Sequence, residues 1–241
     1  MGTTLELLPA VDVADGQAVR LVQGAAGTET SYGSPREAAL AWQRDGAEWI
    51  HLVDLDAAFG KGNNRELLAA VVAELDVKVE LSGGIRDDDS LAAAMATGCT
   101  RVNLGTAALE NPDWCRKAIA EYGDRIAVGV DAKDGYVAIH GWKEVSAEPG
   151  VAFCKRLAEA GCTAIIYTDI ACDGAMQGTN LSLYRQLAAE VPGVAFTASG
   201  GISSEAELLE LQQMGTAAAI LGKSLYTGAL DLARFVQLVQ N

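Results

Sequence analysis

The chain has 241 residues, half of them apolar, and a net charge of −14. That charge, with no Lys/Arg-rich run, argues against nucleic-acid partners and anionic membranes, and no apolar run approaches the ~20 residues that span a bilayer. Five cysteines (Cys99, Cys115, Cys154, Cys162, Cys172) without a C-x-x-C and only two histidines, His51 and His140, suggest neither a disulfide framework nor a zinc site, so reduced, metal-free and cofactor-free chemistry in the cytoplasm is expected.

In chain order, apolar runs alternate with amphipathic segments, the signature of βα units that feed a parallel sheet. The pattern predicts strands near Leu5–Val13, Glu48–Asp54, Val77–Ser82, Thr100–Leu104, Ile126–Asp131, Thr163–Thr168, Val194–Ser199 and Ala217–Leu221. Helices are predicted near Pro35–Asp45, Arg65–Glu74, Asp87–Thr97, Pro112–Tyr122, Gly150–Ala160, Leu181–Glu190, Ser204–Met214 and Asp231–Gln240. No Pro/Ser linker or low-complexity block interrupts this alternation, so a single domain over residues 1–241 is expected.

Ser82-Gly83-Gly84-Ile85 returns 117 residues later as Ser199-Gly200-Gly201-Ile202, and Gly98 and Gly105 return at the same offset as Gly215 and Gly222. Asp12 and Gly16 recur as Asp131 and Gly135, and Asp54 and Asn64 as Asp169 and Asn180. Two similar halves follow, about 1–122 and 123–241. Four strands in each half predict a closed (β/α)8 TIM barrel of two half-barrels, with an open doubly wound sheet as the alternative.

A glycine turn between a strand end and a helix leaves backbone N–H groups free where the helix dipole favours an anion. One Gly-Gly reads more simply as a turn that must bend, whereas two copies at matched positions favour two phosphate sites. Strands 3 and 4 would supply Gly83, Gly84, Gly105 and Thr106; strands 7 and 8 would supply Gly200, Gly201, Gly222 and Lys223 on the opposite side. A small molecule with a phosphate at each end would span the mouth between them. The other strand ends gathered there are Asp12, Asp54, Ser82, Asn103, Asp131, Thr168 and Ser199. Asp12 and Asp131, with Asp173 after strand 6, are candidates for general base and acid, because burial or mutual repulsion can raise a carboxyl pKa. For Asp54, Asp56 and Asp169, helix capping or pairing is an equal alternative. The long segments 14–34, 132–149 and 169–180 are candidate lids.

Pro9-Ala10-Val11-Asp12, Gln17-Ala18-Val19-Arg20-Leu21, Leu52-Val53-Asp54-Leu55-Asp56-Ala57-Ala58, Ser82-Gly83-Gly84-Ile85-Arg86, Gly129-Val130-Asp131 and Thr168-Asp169-Ile170-x-x-Asp173-Gly174-x-x-x-Gly178 resemble the ProFAR isomerases of histidine biosynthesis. The resemblance runs from about Leu5 to Tyr226 and extends to a bifunctional relative, phosphoribosyl isomerase A, which also isomerises phosphoribosylanthranilate. Cyclase subunits of the next histidine step share the half-barrel repeat but carry a lysine in the first strand. The resemblance implies an Amadori rearrangement of an aminoaldose bisphosphate to an aminoketose, without metal or cofactor. It gives Asp12 the base role and leaves Asp131 and Asp173 as competing acids. Thr168 would support the ribose; Arg20 and Trp142 would close over the substrate; Ser82 and Asp169 would contact it, and Gly174 a phosphate. A monomer is expected.

Within the resemblance, Glu29-Thr30-Ser31-Tyr32-Gly33-Ser34-Pro35 looks like the bifunctional type, whereas residues 131–180 look like the ordinary isomerase. His140 stands where the bifunctional relative has an arginine, two residues before Trp142. A barrel that only binds phosphosugars is the competing non-enzymatic reading, but it has no need of Asp12, Asp131 and Asp173 together.

Overall fold

The computed structural model describes residues 4–21, 28 and 30–239. Eight parallel strands are described: β1 (Glu6–Ala14), β2 (Trp49–Asp54), β3 (Lys78–Ser82), β4 (Arg101–Leu104), β5 (Ile126–Lys133), β6 (Ala164–Asp169), β7 (Ala195–Ser199) and β8 (Ala218–Leu221). Each pairs with the next, and β8 with β1, so the ring is closed and the open-sheet alternative is excluded. Helices α1 (Pro35–Arg44), α2 (Arg65–Ala73), α3 (Asp88–Met95), α4 (Pro112–Tyr122), α5 (Gly150–Glu159), α6 (Leu181–Glu190), α7 (Glu205–Gln213) and α8 (Leu232–Val239) follow the strands in turn. This is a (β/α)8 barrel.

The strands read as continuous apolar runs because both of their faces are buried. Leu8, Ala10, Trp49, Ala127, Ala164, Ile166, Ala218 and Ile220 pack inside the barrel. A larger layer, including Leu7, Val11, Ile50, Leu104, Leu187 and Leu208, forms the main core. At the N-terminal end of the ring, the Trp49 indole takes Lys78 Nζ at 5.2 Å and Arg101 Cζ at 4.8 Å from its ring centre, which closes the barrel floor. Helix starts follow local chemistry: Ser34 caps α1 ahead of Pro35, Asn111 caps α4 ahead of Pro112, and Asn180 accepts from Leu183 N at 3.2 Å to cap α6.

The structure corrects two expected loops. Beyond Ala14 and beyond Lys133 the chain does not run free but turns back as antiparallel hairpins at Asp15-Gly16 and Asp134-Gly135, with φ of 49°, 70°, 53° and 83°. Two successive positive-φ residues are what a tight hairpin turn with right-handed strand twist requires. The first hairpin returns as Gln17–Arg20; the second continues as Tyr136–Ile139 and Glu144–Pro149. Short helices over Leu55–Phe59, Thr106–Glu110 and Lys223–Tyr226 follow β2, β4 and β8, where no helix was expected. Residues 22–27 and 29 of the first expected lid, and Gln240 of the last helix, lie outside the described residues. Among the described residues, no helix is long and apolar enough to cross a membrane.

Candidate active site

The C-terminal ends of the strands surround a cavity of about 330 Å³. Asp12, Ser82, Asn103, Asp131, Thr168 and Ser199 line it from six different strands, and Asp173 reaches it from the loop after β6. Strand alternation explains the set, because residues two apart share a face: Asp12 stands above Ala10 in β1, and Thr168 above Ile166 in β6.

Arg20, at the end of its hairpin strand rather than on a free loop, places Nη1 2.8 Å from Asp12 Oδ2. The contact is a close ion pair but not an aligned hydrogen bond, and Nε and Nη1 are buried without hydrogen-bond partners. The guanidinium lies 5.9 Å over the Tyr226 ring, and Nη2 occupies the space a Cβ on Gly222 would take. Buried donors in this state favour an incoming anion.

Burial raises the Asp173 carboxyl to about 6; Arg20 and Lys223 pull it down, and the carboxylates of Asp12 and Asp131 push it up. Asp131 is also raised by burial, against hydrogen bonds from Trp142 and Thr168 and the nearby His51. Its residue is only half-buried, so water at the mouth tempers that desolvation.

Gly83-Gly84 and Gly200-Gly201 occupy matched positions at opposite sides of the mouth. A Cβ on Gly83 would collide with the Asp54 carbonyl, and one on Gly84 would lie 2.5 Å from Ala57 Cβ; both positions have positive φ. Their glycines are therefore required by the backbone that backs the turn as well as by any ligand in front of it. The structure changes where free N–H groups come from. Helix α3 is closed by its own capping box, with Ser90 N donating to Asp87 Oδ1 at 2.8 Å, and α7 is capped by Ser204. Among the glycine turns that line the cavity, the helix starts without a side-chain cap are those after Gly105 and Gly222, at Thr106 and Lys223. Lys223 Nζ donates to the Gly174 carbonyl at 2.9 Å, which brings Gly174 to the second cradle.

Over the mouth lies the turn that joins Tyr136–Ile139 to Glu144–Pro149, where His140, Gly141 and Trp142 have φ of 56°, 64° and 66°. Left-handed backbone is uncommon for histidine or tryptophan and persists only when neighbours over-determine it. Here they do: His140 N donates to Thr106 Oγ1 at 2.9 Å, Gly141 lies against the Phe59 ring, and Trp142 donates to Asp131. The half-exposed His140 ring points to Glu110 Oε1 at 2.8 Å and Glu144 Oε2 at 3.4 Å.

Asp169 does not line the cavity, contrary to the expected substrate contact. Its carboxylate accepts from Asn180 Nδ2 at 2.8 Å and Ala171 N at 3.1 Å, which folds the loop after β6. Asp54 does the same in the other half, accepting from Asn64 N at 2.7 Å and Ala57 N at 3.1 Å. The repeated Asp/Asn pair therefore folds the loops behind the cradles. Sequence reasoning missed His51, which lines the cavity from the middle of β2; an apolar run on both sides gave it no motif.

A closed ring of eight parallel strands with its polar groups gathered at the C-terminal mouth defines a (β/α)8-barrel enzyme. The chain belongs to the family of histidine biosynthesis proteins, which matches residues 6–231. It is 58% identical over 241 residues to the 1-(5-phosphoribosyl)-5-((5-phosphoribosylamino)methylideneamino)imidazole-4-carboxamide isomerase of Saccharopolyspora erythraea, covering 97% of this chain and 98% of that protein. It is 59% identical over 235 residues to phosphoribosyl isomerase A of Mycobacteroides abscessus, with 95% and 96% covered. A second phosphoribosyl isomerase A, from Streptomyces avermitilis, is 57% identical over 242 residues, with 99% of each covered.

Proposed function

We propose that the chain isomerises the aminoaldose bisphosphate ProFAR to its aminoketose. The observation that carries the reading is the acidic centre, Asp12, Asp131 and Asp173, set between two opposed glycine cradles. Each cradle takes one phosphate: Gly83, Gly84, Gly105 and Thr106 on one side, and Gly174, Gly200, Gly201, Gly222 and Lys223 on the other. Asp173 protonates the ribose ring oxygen, since a carboxyl raised to about 6 keeps a far larger protonated fraction near neutral pH than an ordinary aspartate. The ring opens to a Schiff base and Asp12 removes the C2 proton to give the enolamine. Asp131, fastened by Trp142 and Thr168, orients the sugar between them, and Arg20 and Ser82 contact it. The acting unit is proposed to be a monomer, and the free cysteines fit a reducing cytoplasm.

Mixing the protein with ProFAR should give the absorbance change of isomerisation, and its absence at saturating substrate refutes the reading. Crystals soaked in phosphate should carry density at both cradles; occupancy of only one, with saturating product, removes the two-ended ligand.

Phosphoribosylanthranilate has one phosphate and a carboxylate, so its aglycone end needs a cation beyond the first cradle. His140 already faces Glu110 and Glu144 and is a poor receptor for a third carboxylate. The kcat/KM for the anthranilate substrate is therefore expected well below that for ProFAR, with His140→Arg raising it selectively. Comparable values for both substrates in the unmodified chain overturn this.

A further inference from the structure

One layer below the acidic centre lies a charged group of residues to which the mechanism assigns no role. His51 on β2, Glu80 on β3 and Arg101 on β4 are register partners across neighbouring strands. His51 Nδ1 is 2.7 Å from Glu80 Oε1, and Arg101 Nε and Nη2 both lie 2.6 Å from Glu80 Oε2. Glu80 is fully buried, the most deeply buried carboxylate among the described residues, and a charge so placed is costly to leave unpaired. An ion pair buried in this way contributes little net stability compared with apolar packing of the same volume. Nearby interior positions are filled by Ala10, Ile166 and Ile220.

The arrangement has a chemical consequence. Burial alone would raise the Glu80 carboxyl, yet the His51 hydrogen bond and the Arg101 charge hold it below the usual carboxylate range. An ionised carboxylate only accepts, so His51 Nδ1 carries the hydrogen in either charge state of the ring. The ring lines the cavity and lies close enough to Asp131 to act on its charge. With Nδ1 engaged, Nε2 is the nitrogen available to a ligand.

We propose that His51 contacts a ribose oxygen of the substrate through Nε2, and that Glu80 and Arg101 are positioning residues that fix its tautomer and ring plane. The role rests on the isomerase reading, whereas the tautomer itself does not. With only two histidines in the chain, the ¹⁵N signals of His51 can be assigned by difference against His140→Gln. Neutral His51 should show a protonated Nδ1 and a bare Nε2. The aminoketose product should shift Nε2, and inorganic phosphate, held at the cradles, should shift it far less. His51→Asn keeps a donor near Nδ1 but loses the Nε2 position; it should retain the wild-type Tm while kcat/KM for ProFAR falls roughly tenfold or more. His51→Gln, whose amide reaches the Nε2 position, should recover part of that loss. Glu80→Gln should erase the tautomer preference and lower kcat/KM by about 10–100-fold, by analogy with the loss seen when the partner orienting a metal-bound imidazole is removed. A bare Nδ1 in the wild type, a product complex without an Nε2 shift, or wild-type kcat/KM in His51→Asn each overturns the proposal. A wild type that binds product with the Nε2 shift yet does not turn over ProFAR sinks the isomerase reading and supports the contact.

Discussion

Asp12→Asn is expected to lower kcat on ProFAR by about 10²–10⁴, the usual worth of a positioned proton transfer, with little change in KM. The substitution keeps the shape of the side chain, and the cradles that hold the phosphates lie elsewhere on the mouth, so binding should survive. It removes the anion facing Arg20, however, and leaves that guanidinium buried beside Asp173. Because Asp12 raises the Asp173 carboxyl and Arg20 lowers it, both consequences move Asp173 downward. The residual activity of the variant should therefore fail at lower pH than that of the wild type. Steady-state kinetics across pH, with circular dichroism to confirm folding, checks both parts; near-wild-type kcat would refute Asp12 as the base.

Asp173→Asn should cost a similar factor in kcat, and its pH behaviour separates it from Asp131→Asn. A general acid works in its protonated form, so wild-type kcat should decline as pH climbs through about 6. The same shift acts on stability. A carboxyl raised in the folded state above its ordinary value of 3.8 binds its proton more tightly folded than unfolded. Its contribution is full at low pH and is lost as pH rises from about 4 to about 6, a change of no more than about 3 kcal/mol and less with water at the mouth. Above pH 6 the Asn variant should melt higher than the wild type while turning over far more slowly. Equal Tm at pH 5 and pH 8 for both proteins would show that Asp173 is not held at the expense of the fold. A larger kcat loss in Asp131→Asn would move the acid role there.

The barrel was legible in the sequence because strands buried on both faces leave unbroken apolar runs, and because the Ser-Gly-Gly turns repeat at a fixed offset. All eight strands and eight helices fall within a few residues of their predicted bounds. The hairpins were written there too, as Asp15-Gly16 and Asp134-Gly135, but the repeat drew attention to glycine position and away from the dipeptide that demands two positive φ values. Asp169 was misplaced because a strand-end aspartate looks alike whether it faces the mouth or folds the next loop; only Asn180 settles it. The left-handed His140-Gly141-Trp142 turn depends on contacts with Phe59 and Thr106, some 80 and 35 residues distant in sequence, which no local pattern encodes. For the same reason the buried Glu80 had no signal of its own.

The glycine collisions described above carry a consequence for how labour is divided between the half-barrels. Gly83 and Gly84 are backed by Asp54 and Ala57, and Gly200 and Gly201 by Asp169, Cys172 and Gly178. Each Gly-Gly pair of the proposed phosphate sites is thus backed from within its own half. The proposed base and acid are not confined to one half: Asp12 comes from the first half, Asp173 from the second. Their separation is set by the two seams where the halves meet, β4 against β5 and β8 against β1. If the two Gly-Gly pairs hold the phosphates as proposed, grip is a property of each half and chemistry a property of the angle between them, so a shift at a seam far from the mouth is expected to change turnover while leaving both Gly-Gly pairs in place.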